Sequence, residues 1–392
     1  MGSEPLPNAF ARGYVAQSVR VRAQRAGGAE VPVSAVPDQD VVALHLANGP
    51  TLYLHPENAR DLLRAQVAEQ PRRAQDADPN RVTVLPQLSW DRLEQAGATR
   101  GAARGLGDVL LSLVEVIREP AADLVAGAVV KRVDEQVNEG VYALAVDGLT
   151  KLKEREPIDR IPDSGDKPVL VFIHGTFSTT KGTFDKLWVQ HPQRVQQLFR
   201  HYENRVYALE HRTLGQSPIG NALTLAKVLP RNTPVHLVTH SRGGLVAEVL
   251  ARACAPGVVT PKELELHFPG ADHEPQRRQL SELARQLKDV RLKRILRVGC
   301  PARGTLLASK RLDAYLSVFK WALQLAGLPV VPEILDFLAS VAQRRADWNV
   351  IPGLAAQLPD GVLVQWLHAP TEDRIPGELR VVAGDIAGDS VV

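Results

Sequence analysis

Ser241 and the glycines Gly243 and Gly244 are the residues whose types and spacing are best suited to chemistry. The apolar run VHLVT leads into the serine, and the helical pattern LVAEVLAR begins directly after the glycine pair. A tight turn between a strand and a helix holds a serine hydroxyl clear of the sheet, an arrangement known as a nucleophile elbow. We therefore expect Ser241 to act as a nucleophile. The alternative is a buried turn whose serine only caps the helix.

The loop after an earlier apolar run predicts donors that would assist this serine. His174-Gly175-Thr176 follows the run VLVFI, where an early strand would end. We expect the backbone N–H groups of Thr176 and Arg242 to bind the negative oxygen of a tetrahedral intermediate, as an oxyanion hole does. His174 is interpreted as a residue that orders the loop rather than as a base.

Compact apolar runs alternate with helix-like segments in the second half of the chain. The runs are PVLVFIHG (168–175), RVYALEH (205–211), PVHLVTH (234–240), RILRVG (294–299) and ELRVVAG (378–384). The helix-like segments include LVAEVLARAC (245–254) and PQRRQLSELARQLKDV (275–290). Strands that alternate with helices predict βαβ crossovers, so the predicted fold class is α/β, with a mostly parallel sheet covered by helices.

The first part of the chain predicts a smaller α+β region. Its expected elements are a hairpin of VVALHL (41–46) and TLYL (51–54), followed by helices over 57–70, 109–117 and 121–153. The last helix is amphipathic, and we interpret it as packed on a neighbour; a regulatory or membrane-apposed arm is the alternative. Because EREPIDRIPDSGDKP (154–168) is rich in proline and charge, we place the N-terminal region at 1–155 and the α/β domain at 166–392.

The composition argues against several classes of partner. A net charge of +3, from 47 basic and 44 acidic residues, gives no electrostatic case for binding nucleic acid or a membrane surface. The two cysteines are Cys254 and Cys300, and no His/Cys cluster has metal-ligand spacing, so we expect no metal and no cofactor. No run approaches the roughly 20 apolar residues of a membrane span, and the first residues lack the apolar core of a signal peptide. We therefore expect a cytoplasmic protein.

The stretches FIHGTFSTTKGTF, ALEHRTLGQSPIGNAL and HLVTHSRGGLVAEVLAR resemble the lipase and esterase branch of the α/β-hydrolase superfamily. They are also similar to lipase-like domains of large bacterial proteins, some of which carry a caspase-like CHAT protease domain. Gly299-Cys300-Pro301-Ala302-Arg303-Gly304-Thr305 matches a glycine-proline-glycine turn of that branch, whereas Thr239 replaces the glycine that is usual two residues before the serine. The resemblance implies an acyl or lipid-like small-molecule substrate and further domains of a larger protein.

The acid and the base of such a site follow the serine in the order acid, then histidine. Asp385 comes after the last predicted strand, at the place of the acid, and Asp389 is close behind it. No histidine follows either residue, and His368 is the late candidate for the base. His368 is more simply interpreted as a surface or helix-capping histidine. We therefore expect the chain to be a fragment whose base lies beyond Val392, or a hydrolase whose fold stops before its catalytic base.

Two functions from different classes remain open at this point. One is a serine hydrolase of lipase or esterase type that acts by acyl transfer through Ser241. The other is a non-catalytic α/β-hydrolase-like module for recognition or assembly within a larger bacterial protein. A serine peptidase or a thioesterase would use the same residues. The apolar segment 312–342 is interpreted as core helices, with a lid over a lipase pocket as the alternative.

Overall fold

The computed structural model divides into two compact units. One unit comprises residues 1–130, 306–350 and 385–392, and the other comprises residues 131–305 and 351–384. The structure describes residues 14–20, 32–37, 39–46, 51–60, 81–83, 87–88, 109–118, 130–131, 134–135, 137–150, 152–255, 257–304 and 351–382. The candidate acids Asp385 and Asp389 and the apolar segment 312–342 lie outside these residues.

The described strands of the first unit are antiparallel. They are β1 (Tyr14–Arg20), β2 (Pro32–Ser34), β3 (Asp40–Leu46), β4 (Thr51–Leu54), β5 (Arg81–Thr83), β6 (Gln87–Leu88) and β7 (Val109–Arg118). The larger sheet has the order β1-β7-β3-β4, with β6 paired to β7, and β2 pairs with β5. The predicted hairpin is confirmed, because β3 and β4 pair antiparallel. Residues 56–60 are helical, and the remainder of the predicted helix 57–70 lies outside the described residues.

Residues 109–117 were expected to be helical, and the structure shows strand β7 instead. Leu111, Val114 and Ile117 are buried at a spacing that also fits a helix, which explains the wrong prediction. However, β7 pairs with β1 along one edge and with β3 along the other, and two ladders of hydrogen bonds outweigh a weak local preference. The guanidinium of Arg118 donates to both carboxylate oxygens of Asp40, at 2.7 and 2.9 Å, and so joins the ends of β7 and β3.

The second unit is built on a six-stranded sheet. From edge to edge its strands are β13 (Glu378–Val382), β12 (Arg291–Val298), β11 (Pro234–His240), β9 (Val169–Ile173), β10 (Val206–Glu210) and β8 (Gly140–Ala143). All neighbouring pairs are parallel except β8 with β10. The strands predicted after residue 166 are therefore confirmed, and the chain has mixed α/β content with one mostly parallel sheet.

The long helix expected over 121–153 is wrong in its C-terminal part, where β8 and a 3-10 turn at Leu152–Glu154 occur. Gly140 explains why a helix does not continue here. Its φ is 156°, and a Cβ at this position would lie 2.5 Å from the Cβ of Pro157. Val141 and Tyr142 are buried, and Val141–Ala143 pair with β10, so the segment closes one edge of the sheet.

Helices cover both faces of the central strands. They are α1 (Thr180–Gln190), α2 (Pro192–His201), α3 (Pro218–Ala226), α4 (Gly243–Ala253), α5 (Pro261–His267), α6 (Glu274–Gln286), α7 (Pro352–Ala355) and α8 (Val362–His368). α4 and α6 confirm the helices predicted at 245–254 and 275–290. Apolar residues of α3, α4 and α6 form one core cluster, and those of α1 and α2 form another. The edge strand β13 is exposed along its length. No helix within the described ranges is long and apolar enough to span a bilayer.

Gly243 fixes how closely α4 approaches the end of β9. A Cβ at Gly243 would lie 2.5 Å from the carbonyl oxygen of Ile173 and 2.6 Å from that of His174. Both obstacles are backbone atoms, so neither can move without shifting the strand. The first turn of α4 is therefore in direct contact with the carboxyl end of β9 because residue 243 has no side chain.

Replacing Gly243 with alanine is expected to lower the free energy of unfolding by about 1–3 kcal/mol, because the added methyl overpacks a backbone contact. Urea unfolding measures this change. Gly182→Ala is the matched control: Gly182 lies in the first turn of α1, where a Cβ would meet only the side-chain ends of Ser178 and Thr179, at 3.0 and 3.3 Å. The control should be neutral or stabilising. Equal effects of the two substitutions would contradict this account of the α4–β9 contact.

Candidate functional site

Ser241 occupies the single-residue turn that separates the end of β11 from the start of the α4 cap. Its φ is 50°, in the left-handed region that a residue with a side chain rarely adopts. Its N–H donates to the carbonyl oxygen of Val298 at 2.9 Å, and its carbonyl oxygen accepts from the N–H of Gly244 at 2.9 Å. These two hydrogen bonds hold the serine backbone in its strained conformation from both sides.

Three glycines make room around this turn. A Cβ at Gly175 would lie 2.7 Å from the Cβ of Ser241 and 3.3 Å from its Oγ. A Cβ at Gly244 would overlap the Sγ of Cys300, in the turn after β12. Together with the contact of Gly243 to β9, these close approaches bring the ends of β9, β11 and β12 around the turn that carries Ser241.

The two residues predicted to supply the oxyanion hole lie at the carboxyl ends of neighbouring parallel strands. Thr176 follows β9 and is buried, and Arg242 follows β11 directly after the serine. The Thr176 Oγ1 accepts a hydrogen bond of 3.4 Å from the Nε2 of Gln357. That the backbone N–H groups of both residues face the oxyanion of a substrate stays a prediction.

The side chain of Arg242 contributes contacts that the sequence did not predict. It is fully buried, its Nε donates to the carbonyl oxygen of Gly353 at 2.9 Å, and its second guanidinium nitrogen donates to that of Gln216 at 2.6 Å. Arginine is rarely buried unless it is paired, so an arginine next to a serine in sequence is expected to be exposed. The burial of Arg242 therefore could not be predicted from the sequence. Both acceptors come from chain segments far from the elbow in sequence.

Two buried histidines, His174 and His211, lie at the ends of β9 and β10. The ring of His174 stacks on that of His211, with centroids 4.0 Å apart and planes inclined by 20°. The Nδ1 of His174 donates to the carbonyl oxygen of Gly175 at 3.0 Å, and its Nε2 accepts from the N–H of His211 at 3.4 Å. His174 thus contacts the loop that it was expected to order. His211 was not singled out from the sequence; its place at the end of an apolar run was the available signal.

Burial lowers the pKa of both imidazoles. For His174 the loss of hydration is the main cause, opposed by the nearby carboxylate of Glu210, whose Oε2 lies 3.5 Å from the ring Nε2. For His211 the loss of hydration lowers the pKa well below 6.5, and the nearby His174 and Arg242 lower it further. Both rings are therefore neutral at pH 7.

The other histidines near the end of the sheet have different surroundings. His240 ends β11 with an exposed side chain. His368 ends α8, is exposed, and its Nε2 bonds the carbonyl oxygen of Ala302 at 2.8 Å. No residue in the described part of the chain is hydrogen-bonded to the Ser241 hydroxyl. The described residues thus supply no base that is hydrogen-bonded to the serine hydroxyl.

One of the comparisons with known proteins falls on the same region. A family model described as a domain of unknown function, DUF7379, matches residues 140–265, which include β8–β11 and the elbow. Among solved structures, the chain is similar to a lipase of Bacillus licheniformis, BlEst2 in its mature form, with 18% identity and a TM-score of 0.24. That match covers 48% of this chain and 60% of the lipase chain. No curated protein matches the chain.

The lowered pKa of His211 predicts an acid-sensitive fold. Below the usual histidine pKa of 6.5 the unfolded chain binds a proton at His211 that the folded chain does not, so the contribution of His211 to stability is greatest above pH 6.5 and falls as the pH drops. His211→Asn should flatten this fall by up to about 1.4 kcal/mol per pH unit, the amount for one proton. Urea unfolding between pH 7.5 and pH 5 measures the slope.

Leu209→Ala is the control for this slope, because Leu209 is fully buried, lies two residues before His211 and does not titrate. It should lower stability at every pH and leave the slope as in the wild type. A His211→Asn variant with the wild-type slope would show that His211 takes up a proton as readily in the folded chain as in the unfolded one.

Proposed function

We propose that this chain is a serine hydrolase of lipase or esterase type that transfers acyl groups through Ser241. The observation that carries the proposal is the φ of 50° at Ser241, between β11 and α4. A left-handed conformation costs a residue with a side chain about 1–2 kcal/mol, and such strain is concentrated at functional sites. It is also the conformation that a nucleophile elbow requires.

The capping alternative has less support. The N-cap of α4 is Arg242, and α4 has no side-chain capping hydrogen bond, so the hydroxyl of Ser241 does not cap the helix. A cap also needs no close approach to the preceding strands, whereas Gly175 and Gly243 both provide one. The geometry around Ser241 therefore favours a reactive hydroxyl over a structural one.

In the proposed reaction, the Oγ of Ser241 attacks the carbonyl carbon of an ester, and its proton passes to a base. The N–H groups of Thr176 and Arg242 bind the oxyanion of the tetrahedral intermediate. Collapse of the intermediate breaks the ester bond, and the alcohol leaves with the proton. Water then attacks the acyl-enzyme, which releases the carboxylic acid product and restores the serine. Asp385 is the proposed acid that orients the base.

An acyl or lipid-like small molecule is the proposed substrate class, because of the lipase-like motifs within residues 172–252. The alternative function is a non-catalytic recognition or assembly module. One observation favours it: none of the described residues hydrogen-bonds the Ser241 hydroxyl, and a serine without a base is a weak nucleophile.

Labelling with a fluorophosphonate probe separates the two functions. The wild-type chain should become labelled at Ser241 slowly, because no histidine among the described residues is hydrogen-bonded to its hydroxyl, and Ser241→Ala should abolish the label. Ser178→Ala is the matched control, since Ser178 lies in the loop after β9 and its Oγ is hydrogen-bonded to the Oγ1 of Thr183 at 2.8 Å. This control should be labelled like the wild type. A wild-type chain that stays unlabelled, or a label that survives in Ser241→Ala, would favour the binding module.

A further inference from the structure

The Arg242 side chain joins three segments of the second unit that are distant in sequence. Its guanidinium, fully buried, donates to the carbonyl oxygens of Gln216, in the loop after β10, and of Gly353, in α7. We call these three residues the Arg242 clamp. A rigid guanidinium fork can bind two acceptors at fixed angles, which a flexible ammonium group cannot.

The segments held by the Arg242 clamp are also in contact with each other. The N–H of Gly353 donates to the carbonyl oxygen of Leu214 at 2.8 Å. A Cβ at Gly353 would overlap the carbonyl group of Thr213, so the two backbones touch. The clamp therefore sets the position of α7 against the loop 211–217 as well as against the elbow.

The same two segments reach the loop that contains Thr176. The Oγ1 of Thr213 accepts a hydrogen bond of 3.1 Å from the N–H of Phe177. Gln357, just after α7, donates from its Nε2 to the Oγ1 of Thr176 at 3.4 Å. A continuous series of contacts thus runs from the Arg242 guanidinium, through Gln216 and Gly353, to the residue proposed to carry the second oxyanion donor.

A buried guanidinium is costly unless its charge is compensated. Nearby is the buried carboxylate of Asp134, whose Oδ2 accepts from the N–H of Gly215 at 2.8 Å. Burial raises the pKa of Asp134, whereas the charges of Arg212 and Arg242 act to lower it. The carboxylate thus holds the loop 211–217 through the N–H of Gly215.

We infer that the Arg242 side chain is a positioning residue that fixes the Thr176 N–H relative to the N–H of Arg242 itself. This inference rests on the proposed function of Ser241. An oxyanion donor is effective only when it lies about 2.7–3.1 Å from the oxyanion, and a shift of roughly 1 Å can lower the rate about 10²-fold. Loss of the clamp should therefore lower the rate of acylation more than the affinity for substrate.

Arg252 provides a matched control within the same helix. It is also buried, and its guanidinium donates to two backbone carbonyl oxygens, those of Leu367 at 3.2 Å and Ala369 at 2.8 Å. It lies at the last turn of α4, however, whereas Arg242 lies at the first. Substituting Arg252 removes the same kind of interaction without touching the elbow.

The test compares Arg242→Lys with Arg252→Lys. Both variants should lose stability in urea unfolding. The rate of fluorophosphonate labelling at Ser241 should fall about 10²-fold in Arg242→Lys and stay near the wild-type value in Arg252→Lys. With an ester substrate, kcat should fall in Arg242→Lys while KM changes little. Equal rates in the two variants, or a change in KM alone, would overturn the inference.

Hydrogen exchange tests the clamp without relying on activity. In Arg242→Lys, amides of 213–217 and 351–357 should exchange faster than in the wild type, whereas Arg252→Lys should affect 367–369 instead. Unchanged exchange at 213–217 and 351–357 would overturn the clamp. If the wild-type chain is unlabelled and exchange follows the expected pattern, the proposed function fails while the clamp stands as a structural feature of the elbow.

Discussion

The left-handed backbone of Ser241 is the constraint on which the rest of the second unit depends. The conformation is unfavourable for a serine, so it persists only where the surrounding chain enforces it. Val298 accepts from the Ser241 N–H, and Gly244 donates to the Ser241 carbonyl oxygen. Neither bond would form if β12 and α4 were placed differently. The strain at one residue is thus maintained by the packing of a strand and a helix.

A parallel sheet suits this requirement, because the carboxyl ends of its strands all meet at one edge. β9, β11 and β12 end beside one another, and Gly175, Gly243 and Gly244 supply the space that their close approach requires. The burial of the side chains near this turn then has two consequences. It keeps the stacked rings of His174 and His211 neutral, and it allows the Arg242 guanidinium to bond carbonyl oxygens without competition from water.

The sequence predicted the sheet of the second unit well for a physical reason. Its central strands are buried on both faces, so they appear as short continuous apolar runs rich in β-branched residues. Strand β7 was mistaken for a helix because its buried residues also recur at helical spacing. Its pairing with β1 and β3, which are distant in sequence, is what makes it a strand. The part of 121–153 that forms β8 was mistaken because Gly140 was not recognised as a break.

The features of the candidate site that consecutive residues form could be predicted from the sequence. The features that depend on contacts between distant residues could not. Ser241 and its glycines were identified from a local pattern, since the elbow is made by consecutive residues. The Arg242 side chain and His211 were missed because their partners, such as Gly353 and His174, are distant in sequence. Asp385 as the acid stays a prediction, since it lies outside the described residues.

The most direct test of the account is a crystal structure of the chain after reaction with a small phosphonate ester. The account predicts a phosphorus atom bonded to the Oγ of Ser241, with its phosphoryl oxygen about 3 Å from the backbone nitrogens of both Thr176 and Arg242. A phosphoryl oxygen directed to solvent, or an adduct on any other residue, would contradict the claim that this elbow is built for acyl transfer.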